Sequence, residues 1–335
     1  MQKTILIVTD NLPEQINGVV TTYKNIEACA IRDNYRVVYL DPGRFRYVDC
    51  PGYNEVKITL ARKRTVGKIL EEINPDHIHI ATEGPLGLCA RQYLDKHNYR
   101  YNTAYHTKFP EGLRKLFGIP EAITWPLVRW FHKHSGKVLT TTDTMVKELQ
   151  DHGFDGHIIP WTRGVDRDIF SPALRDQEDD RKLLVCVSRV SKEKNLEEFF
   201  KLEYPKSRKI MVGDGPMREQ YEKDYPDVEF VGFKTGIELA KYYANADVFV
   251  FPSRWETFGI VMIEAMACGT PVAAYPVQGP LDVVDQGVTG YLEEDLATAV
   301  HRCIGLNRKT VLAGSYRWSW ERAWTIFKEN LISCK

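Results

Sequence analysis

Short runs of β-branched and aromatic residues recur along the chain, and between them apolar positions return every three or four residues. Residues 4–9, 35–40, Asp76 to Ala81, 101–105 and Lys137 to Thr141 predict five strands in the first half. Residues 183–187, 208–213, 228–231, 247–251 and 271–275 predict five more in the second. Several of these runs are continuously apolar, and helical patterns separate them, so the expected class is α/β with parallel sheets covered on both faces. The pattern breaks between Gly164 and Lys182, where Ser171-Pro172 is followed by the polar run Arg175-Asp176-Gln177-Glu178-Asp179-Asp180-Arg181, suited to a linker. Two doubly wound, Rossmann-like domains facing a cleft are therefore expected, over residues 1–165 and 166–312. A last helical segment, 313–335, carries the apolar anchors Trp318, Trp320, Trp324, Ile326, Phe327 and Leu331 and is expected to pack back toward the first domain.

The stretch Arg254 to Pro271 is the most informative. Asp247 to Phe251 reads as a buried strand, Ile260 to Cys268 as a helix ended by Gly269, and Pro271 to Tyr275 as the next strand. Glu256 thus lies in the loop at the carboxyl end of a strand, where open α/β sheets bind ligands. The amides of Thr257, Phe258, Gly259 and Ile260 lie at a helix start, which favours an anion. Glu264, inside that helix, is placed to face the same crevice. Loop carboxylate, amides and helix carboxylate together suit a ligand that combines hydroxyls with phosphate.

Other segments end at comparable places. Asn17-Gly18 follows the first strand and precedes a helix, which fits phosphate or an ordinary turn equally well. Arg189 and Lys194 leave the first strand of the second half, where a guanidinium fork and a lysine point charge suit a diphosphate. Gly213-Asp214-Gly215-Pro216 reads as a tight turn with a helix starting at Pro216 and Asp214 near the ligand by position only. His106 ends a strand, and on its own a lone histidine there is structural; His77 and His79 read as core or supporting residues. Asp166-Arg167-Asp168 has the form of a metal motif but falls in the interdomain segment, so no metal is expected.

Charge is balanced, 45 basic against 45 acidic residues, and does not by itself point to nucleic acid or membrane. Eight of the nine histidines and a slight basic excess fall in the first half, which keeps an anionic acceptor or surface in play. Seven scattered cysteines, an odd number without a Cys-x-x-Cys, fit a reducing compartment rather than a disulfide framework. Met1-Gln2-Lys3 leads straight into a strand, so no signal peptide is expected, and no apolar run nears the roughly 18 residues of a membrane span. The expected location is the cytoplasm, with any membrane association peripheral. P-loop, nucleophile-elbow and His-Glu-x-x-His signatures do not occur, nor does the glycine fingerprint of a dinucleotide site.

Together, Asn17-Gly18, His106, Arg163-Gly164-Val165-Asp166, Arg189 with Lys194, Gly213 to Pro216, Glu256 to Glu264, Gly269-Thr270-Pro271 and Ser319-Trp320-Glu321 resemble the family 4 glycosyltransferases. That resemblance implies the GT-B fold, retention of anomeric configuration, and a nucleotide-diphosphate sugar as donor, UDP favoured and GDP next, with no cofactor required. It implies that Arg189 and Lys194 clamp the diphosphate, Glu256 holds sugar hydroxyls, Glu264 the ribose, Gly18 approaches the phosphates and His106 contacts the donor sugar. His79 to Gly87, His106 to Glu111 and Trp161 to Asp166 look like the branch of sulfoquinovosyl and mannosyl transferases that act on lipids. Compact members of this kind also occur in bacteriophages, where some glycosylate hydroxymethylated DNA bases. The acceptor, whether lipid at a membrane surface, saccharide or such DNA, is expected on the first domain. Its expected contacts are Glu83, Lys108, Arg44, Arg46 and Arg163. The rival class is a nucleotide-sugar-binding protein without catalysis.

Overall fold

The computed structural model describes residues 2–50, 53–176 and 180–335; Gln177 to Asp179 of the polar run lie outside the described residues. The chain forms two compact units, Met1–Thr162 with Trp320–Lys335, and Arg163–Ser319.

In the first unit, β1 (Lys3–Val8), β2 (Tyr35–Leu40), β5 (His77–Ile80), β6 (Asn102–Tyr105), β7 (Val138–Thr140) and β8 (Ile158–Pro160) form one parallel sheet in the order β2-β1-β5-β6-β7-β8. Residues 5–8 of β1 are all buried, which is why that strand reads as a continuous apolar run. Leu6, Val8, Ile78 and Ile80 pack on one face with Leu86, Ala90 and Leu94 of helix Pro85–Lys96. The helix Trp320–Glu329 lies against the other. Trp161 Nε1 donates to the Ala323 carbonyl at 2.9 Å, and Trp324 Nε1 to Asp33 Oδ2 at 2.7 Å, so each buried indole has an acceptor.

In the second unit, β9 (Lys182–Val187), β10 (Ser207–Val212), β11 (Val228–Gly232), β12 (Val248–Phe251), β13 (Val272–Ala274) and β14 (Gly290–Leu292) form a parallel sheet ordered β11-β10-β9-β12-β13-β14. This is the doubly wound order whose direction reverses between β9 and β12. The two α/β sheets are the architecture expected from the alternating pattern.

The sequence reading missed an antiparallel hairpin, β3 (Tyr47–Cys50) with β4 (Tyr53–Thr59). Tyr47 and Val48 of this hairpin are exposed, unlike the continuously buried residues of β1, β5 and β12. β8 and β14 were also missed; each is three residues long at a sheet edge, too short to show a period. The helix expected at Pro216 begins at Arg218 instead: the Met217 amide donates to the Val190 carbonyl and the Arg218 amide to the Gly215 carbonyl, each at 3.1 Å.

One half-buried cation holds the second unit's helix ends. Arg308 donates to the carbonyls of Ala246 (2.6 Å), Ala244 (2.8 Å) and Cys268 (3.0 Å) and to Thr270 Oγ1 (2.9 Å). These carbonyls close helices Gly236–Asn245 and Ile260–Ala267, where a positive charge is favoured. Burial lowers the guanidinium to about 10, so it stays charged at neutral pH. Arg308→Met should therefore strand several buried carbonyls and cost about 2–4 kcal/mol, read as a lower midpoint in urea unfolding at unchanged slope.

Candidate functional site

The reversal between β9 and β12 brings two loops together. The loop after β9 holds half-buried Arg189, and Lys194 closes a 3-10 turn, Lys192–Lys194. Asn195 follows in the left-handed region (φ 54°), and its Nδ2 donates to the Pro252 carbonyl just beyond β12 at 3.2 Å. The loop after β12 carries Glu256, whose Oε2 lies 3.3 Å from Lys194 Nζ. Both side chains keep about a fifth of their surface exposed (24% and 21%), so the pair is reachable from solvent. Glu256 Oε1 accepts from the Thr257 amide at 3.0 Å.

Gly259 stands before helix Ile260–Ala267 with φ 83°, and a Cβ there would fall 2.6 Å from Met262 Cε. Its positive φ turns the chain so that the amides of Phe258 to Val261, which have no i−4 carbonyl within the helix, lie at its start. Phe258 itself is buried, 5.3 Å edge-on to Trp318, so only its backbone is available to a ligand. Gly279 (φ 89°) passes close behind Glu256, and a Cβ would lie 3.3 Å from the glutamate's Cβ and Cγ.

Glu264 points back into the protein. It accepts from the Tyr243 hydroxyl at 2.9 Å, and desolvation of its carboxyl, partly offset by that bond, raises its pKa to about 7. Part of the residue remains exposed although the carboxyl is desolvated. Asp214 is engaged locally, accepting from the Gly215 amide (2.7 Å) and pairing with Arg218 (3.0 Å). Gly213, at φ 140°, has no room for a side chain, since a Cβ would lie 1.9 Å from the Ser188 carbonyl oxygen. That close approach accounts for the glycine as turn and packing.

The first-unit residues are placed as follows. Gly18 is exposed at the start of helix Gly18–Arg32, but Asn17 Oδ1 caps the helix by accepting from Val19 (3.0 Å) and Val20 (2.9 Å). His106 is buried, and its Nε2 lies 2.9 Å from the Tyr23 hydroxyl, which is 2.7 Å from His79 Nε2. Desolvation lowers His79 to about 3, so it is neutral. Glu83 is 3.3 Å from His132 Nε2, whose Nδ1 is 2.7 Å from Thr103 Oγ1. Lys108 is paired with Glu148 (3.2 Å) and Glu111 (3.8 Å). Arg44 and Arg46 are exposed beside the hairpin, and Arg163 is buried at the start of the second unit.

The structure thus brings Lys194 and Glu256 within ion-pair distance at the strand ends, with Arg189 in the same loop as Lys194 and the helix start following Glu256. Glu264 is in the same helix, and Asp214 is turned to its own loop. Three participants escaped the sequence reading: Tyr243, Tyr23 and Asp10. Asp10, at the carboxyl end of β1, accepts from Thr82 Oγ1 (2.7 Å) and the amides of Leu86 (2.7 Å) and Gly87 (3.2 Å). Desolvation outweighs these bonds and raises it to about 6. Its signal was available: an acid directly after an apolar strand, opposite Gly84-Pro85 at a helix start.

Two parallel, doubly wound sheets define an α/β protein of the GT-B type. Family comparison matches residues 17–169 to Glycosyltransferase Family 4 and 170–302 to Glycosyl transferases group 1. The chain belongs to this glycosyltransferase family. It is 30% identical to the sulfoquinovosyl transferase SQD2 of Arabidopsis thaliana over 266 residues, 74% of this chain and 52% of that protein. It is 32% identical to a GDP-mannose-dependent alpha-mannosyltransferase of Corynebacterium glutamicum over 238 residues, 68% of this chain and 57% of that one. The chain thus spans between half and two thirds of the length of these curated relatives. Among solved structures, sucrose-phosphate synthase from Thermosynechococcus elongatus superposes with a TM-score of 0.78 at 18% identity, covering 98% of both chains. Anabaena HepE in complex with UDP and glucose gives 0.70 at 17%, covering 98% of this chain and 99% of the other. These likenesses support the fold.

The raised pKa of Glu264 has a measurable consequence. Its folded value, about 7, exceeds the ordinary 4.5, so folding is penalised once the carboxyl must ionise. The penalty is absent below pH 4–5, grows as pH rises, and is complete above about 7. Glu264→Gln, which keeps an acceptor for Tyr243, should therefore match wild type near pH 5 and be more stable near pH 8, by on the order of 1–3 kcal/mol. Thermal melts at the two pH values measure this.

Proposed function

We propose that the chain transfers a glycosyl group from a nucleotide-diphosphate sugar to an acceptor hydroxyl with retention of anomeric configuration. The observation that carries the proposal is the Lys194–Glu256 pair, 3.3 Å apart at the strand reversal of the second unit, in a chain of this family. The two groups neutralise one another in the free protein. A donor offers each a better partner: phosphate oxygens for Lys194, and sugar hydroxyls for Glu256.

Breaking the bond between anomeric carbon and β-phosphate oxygen leaves negative charge on the diphosphate and positive charge on the sugar. Arg189, Lys194 and the amides at Gly259 and Ile260 stabilise the first, because they are fixed before the charge develops. Glu256 orients the sugar and, as a carboxylate, favours its cationic character. Glu264 accepts from the ribose hydroxyls beside Tyr243. The acceptor hydroxyl takes the anomeric position on the face the diphosphate leaves, and its proton passes to the departing phosphate oxygen.

UDP is favoured as the nucleotide, and GDP is the alternative, in line with the GDP-mannose-dependent relative. The acceptor is a lipid or saccharide hydroxyl, with a hydroxymethylated DNA base as the remaining alternative. Donor preference follows from a thermal-shift panel of nucleotide sugars. At ~100 times the dissociation constant the bound donor stabilises by ~2.7 kcal/mol.

Nucleoside-diphosphate release from the preferred donor should fall about 10²–10³-fold in Arg189→Ala and in Glu256→Gln, with unfolding midpoints close to wild type. A Glu256→Gln enzyme at the full wild-type rate would remove the carboxylate from the mechanism. Binding of donor with no release and no transfer to vesicles, oligosaccharides or hydroxymethylated DNA would assign the chain to nucleotide-sugar binding alone.

A further inference from the structure

Helix Glu121–His132 is the second of two helices in the crossover between β6 and β7, and it is apolar on both sides. Its inner face, Thr124, Trp125, Val128, Phe131 and His132, is buried in the first unit. Its outer face presents Ala122, Ile123, Pro126, Leu127 and Trp130, all exposed. Ile123 is 64% exposed, Leu127 50% and Trp130 42%, at spacings of four and three that align them along one stripe. A helix apolar all round is ordinarily covered on all sides, so the outer stripe has the composition of a buried surface.

Trp130 is held in place from beneath. The buried Arg91 guanidinium lies 4.0 Å from its ring and donates to the Trp130 and Phe131 carbonyls at 2.9 and 2.8 Å. The exposed indole is therefore ordered before any partner arrives, at little entropic cost on docking. The charges around the stripe are unequal. Arg129 and Lys133 are exposed at its end, while the helix's one acid, Glu121, is bound to Arg114 at 2.9 Å. Counting Arg114, Arg129 and Lys133 against Glu121 leaves an excess of two positive charges.

We propose that this face docks on a bilayer surface carrying anionic headgroups, with Ile123 and Leu127 entering the acyl boundary and Trp130 at the headgroup level. An aliphatic pair beside a tryptophan and a basic rim is the composition such surfaces attract. A second copy of the chain would set the same positive excess against itself, whereas anionic lipid neutralises it. The docking goes beyond the transferase reading and does not depend on it, since it is measured without turnover.

Flotation of the full chain with phosphatidylcholine vesicles, with and without about 30 mol% phosphatidylglycerol, tests the proposal. Wild type should float with the anionic vesicles about tenfold more than with neutral ones, and added salt should weaken this. The double variant Ile123→Ser, Leu127→Ser should lose about tenfold in flotation while keeping the wild-type melting temperature and nucleoside-diphosphate release from a soluble donor. Lys133→Glu should lose the preference for anionic vesicles. Wild-type flotation of the double variant, or absence of wild-type binding to either vesicle, overturns the proposal. So does a dimer in sedimentation velocity that the double variant dissolves, because the face is then covered by a second copy.

Discussion

The reversal of strand order is the constraint on which the remaining geometry depends. On either side of it, crossover helices run to opposite faces of the sheet, so no connection covers the strand ends between β9 and β12. Backbone amides and side chains that follow those strands are left without neighbours from their own sheet. The chain fills that space with groups of opposite charge, Lys194 and Glu256. The first unit has the same kind of reversal between β1 and β5 but a different solution. There Asp10 occupies the opening and takes the helix-start amides of Leu86 and Gly87 for itself. Gly84 is required beside it, because a Cβ would lie 2.4 Å from the aspartate Cγ. Of the two reversals, the second unit's is the one where a basic and an acidic side chain face one another.

The electrostatics of the second unit follow from degrees of burial. Lys194 and Glu256 keep contact with water, so their attraction is modest and can be exchanged for a ligand. Arg308 is enclosed by carbonyls and is structural. Glu264 lies between these cases, with its carboxyl desolvated and one tyrosine hydroxyl as partner. A single helix, Ile260–Ala267, therefore begins at a ligand-type opening and ends on a structural cation.

Much of this was legible in the amino-acid sequence because the fold's strands are continuously apolar and its breaks are glycine, proline or charge. The strand ends that carry Arg189 and Glu256 were placed from that pattern, and the pattern of Gly269 before Pro271 marked the helix end. Gly269 has φ 73°, as a glycine after a helix commonly does. What stayed hidden were partners distant in sequence. Tyr243 meets Glu264 across 21 positions, Asp10 meets Thr82 across 72, and Tyr23 meets His106 across 83. Composition gives no sign of such meetings, since tyrosine in a buried helix face reads as core. Ile123 and Leu127 on the exposed face of Glu121–His132 were hidden for the opposite reason: they have the composition of an interior.

The Tyr23 hydroxyl carries one hydrogen and lies between two imidazole nitrogens, so it donates to one ring and accepts from the other. His79 is neutral, and its Nδ1 is buried without a hydrogen-bond partner. An orphaned N–H costs more than an unused lone pair, so the His79 hydrogen belongs on Nε2, directed at Tyr23. Tyr23 then donates to His106 Nε2, which accepts with its lone pair. A residue sealed inside the sheet thus decides, through one phenol, which edge of His106 is an acceptor.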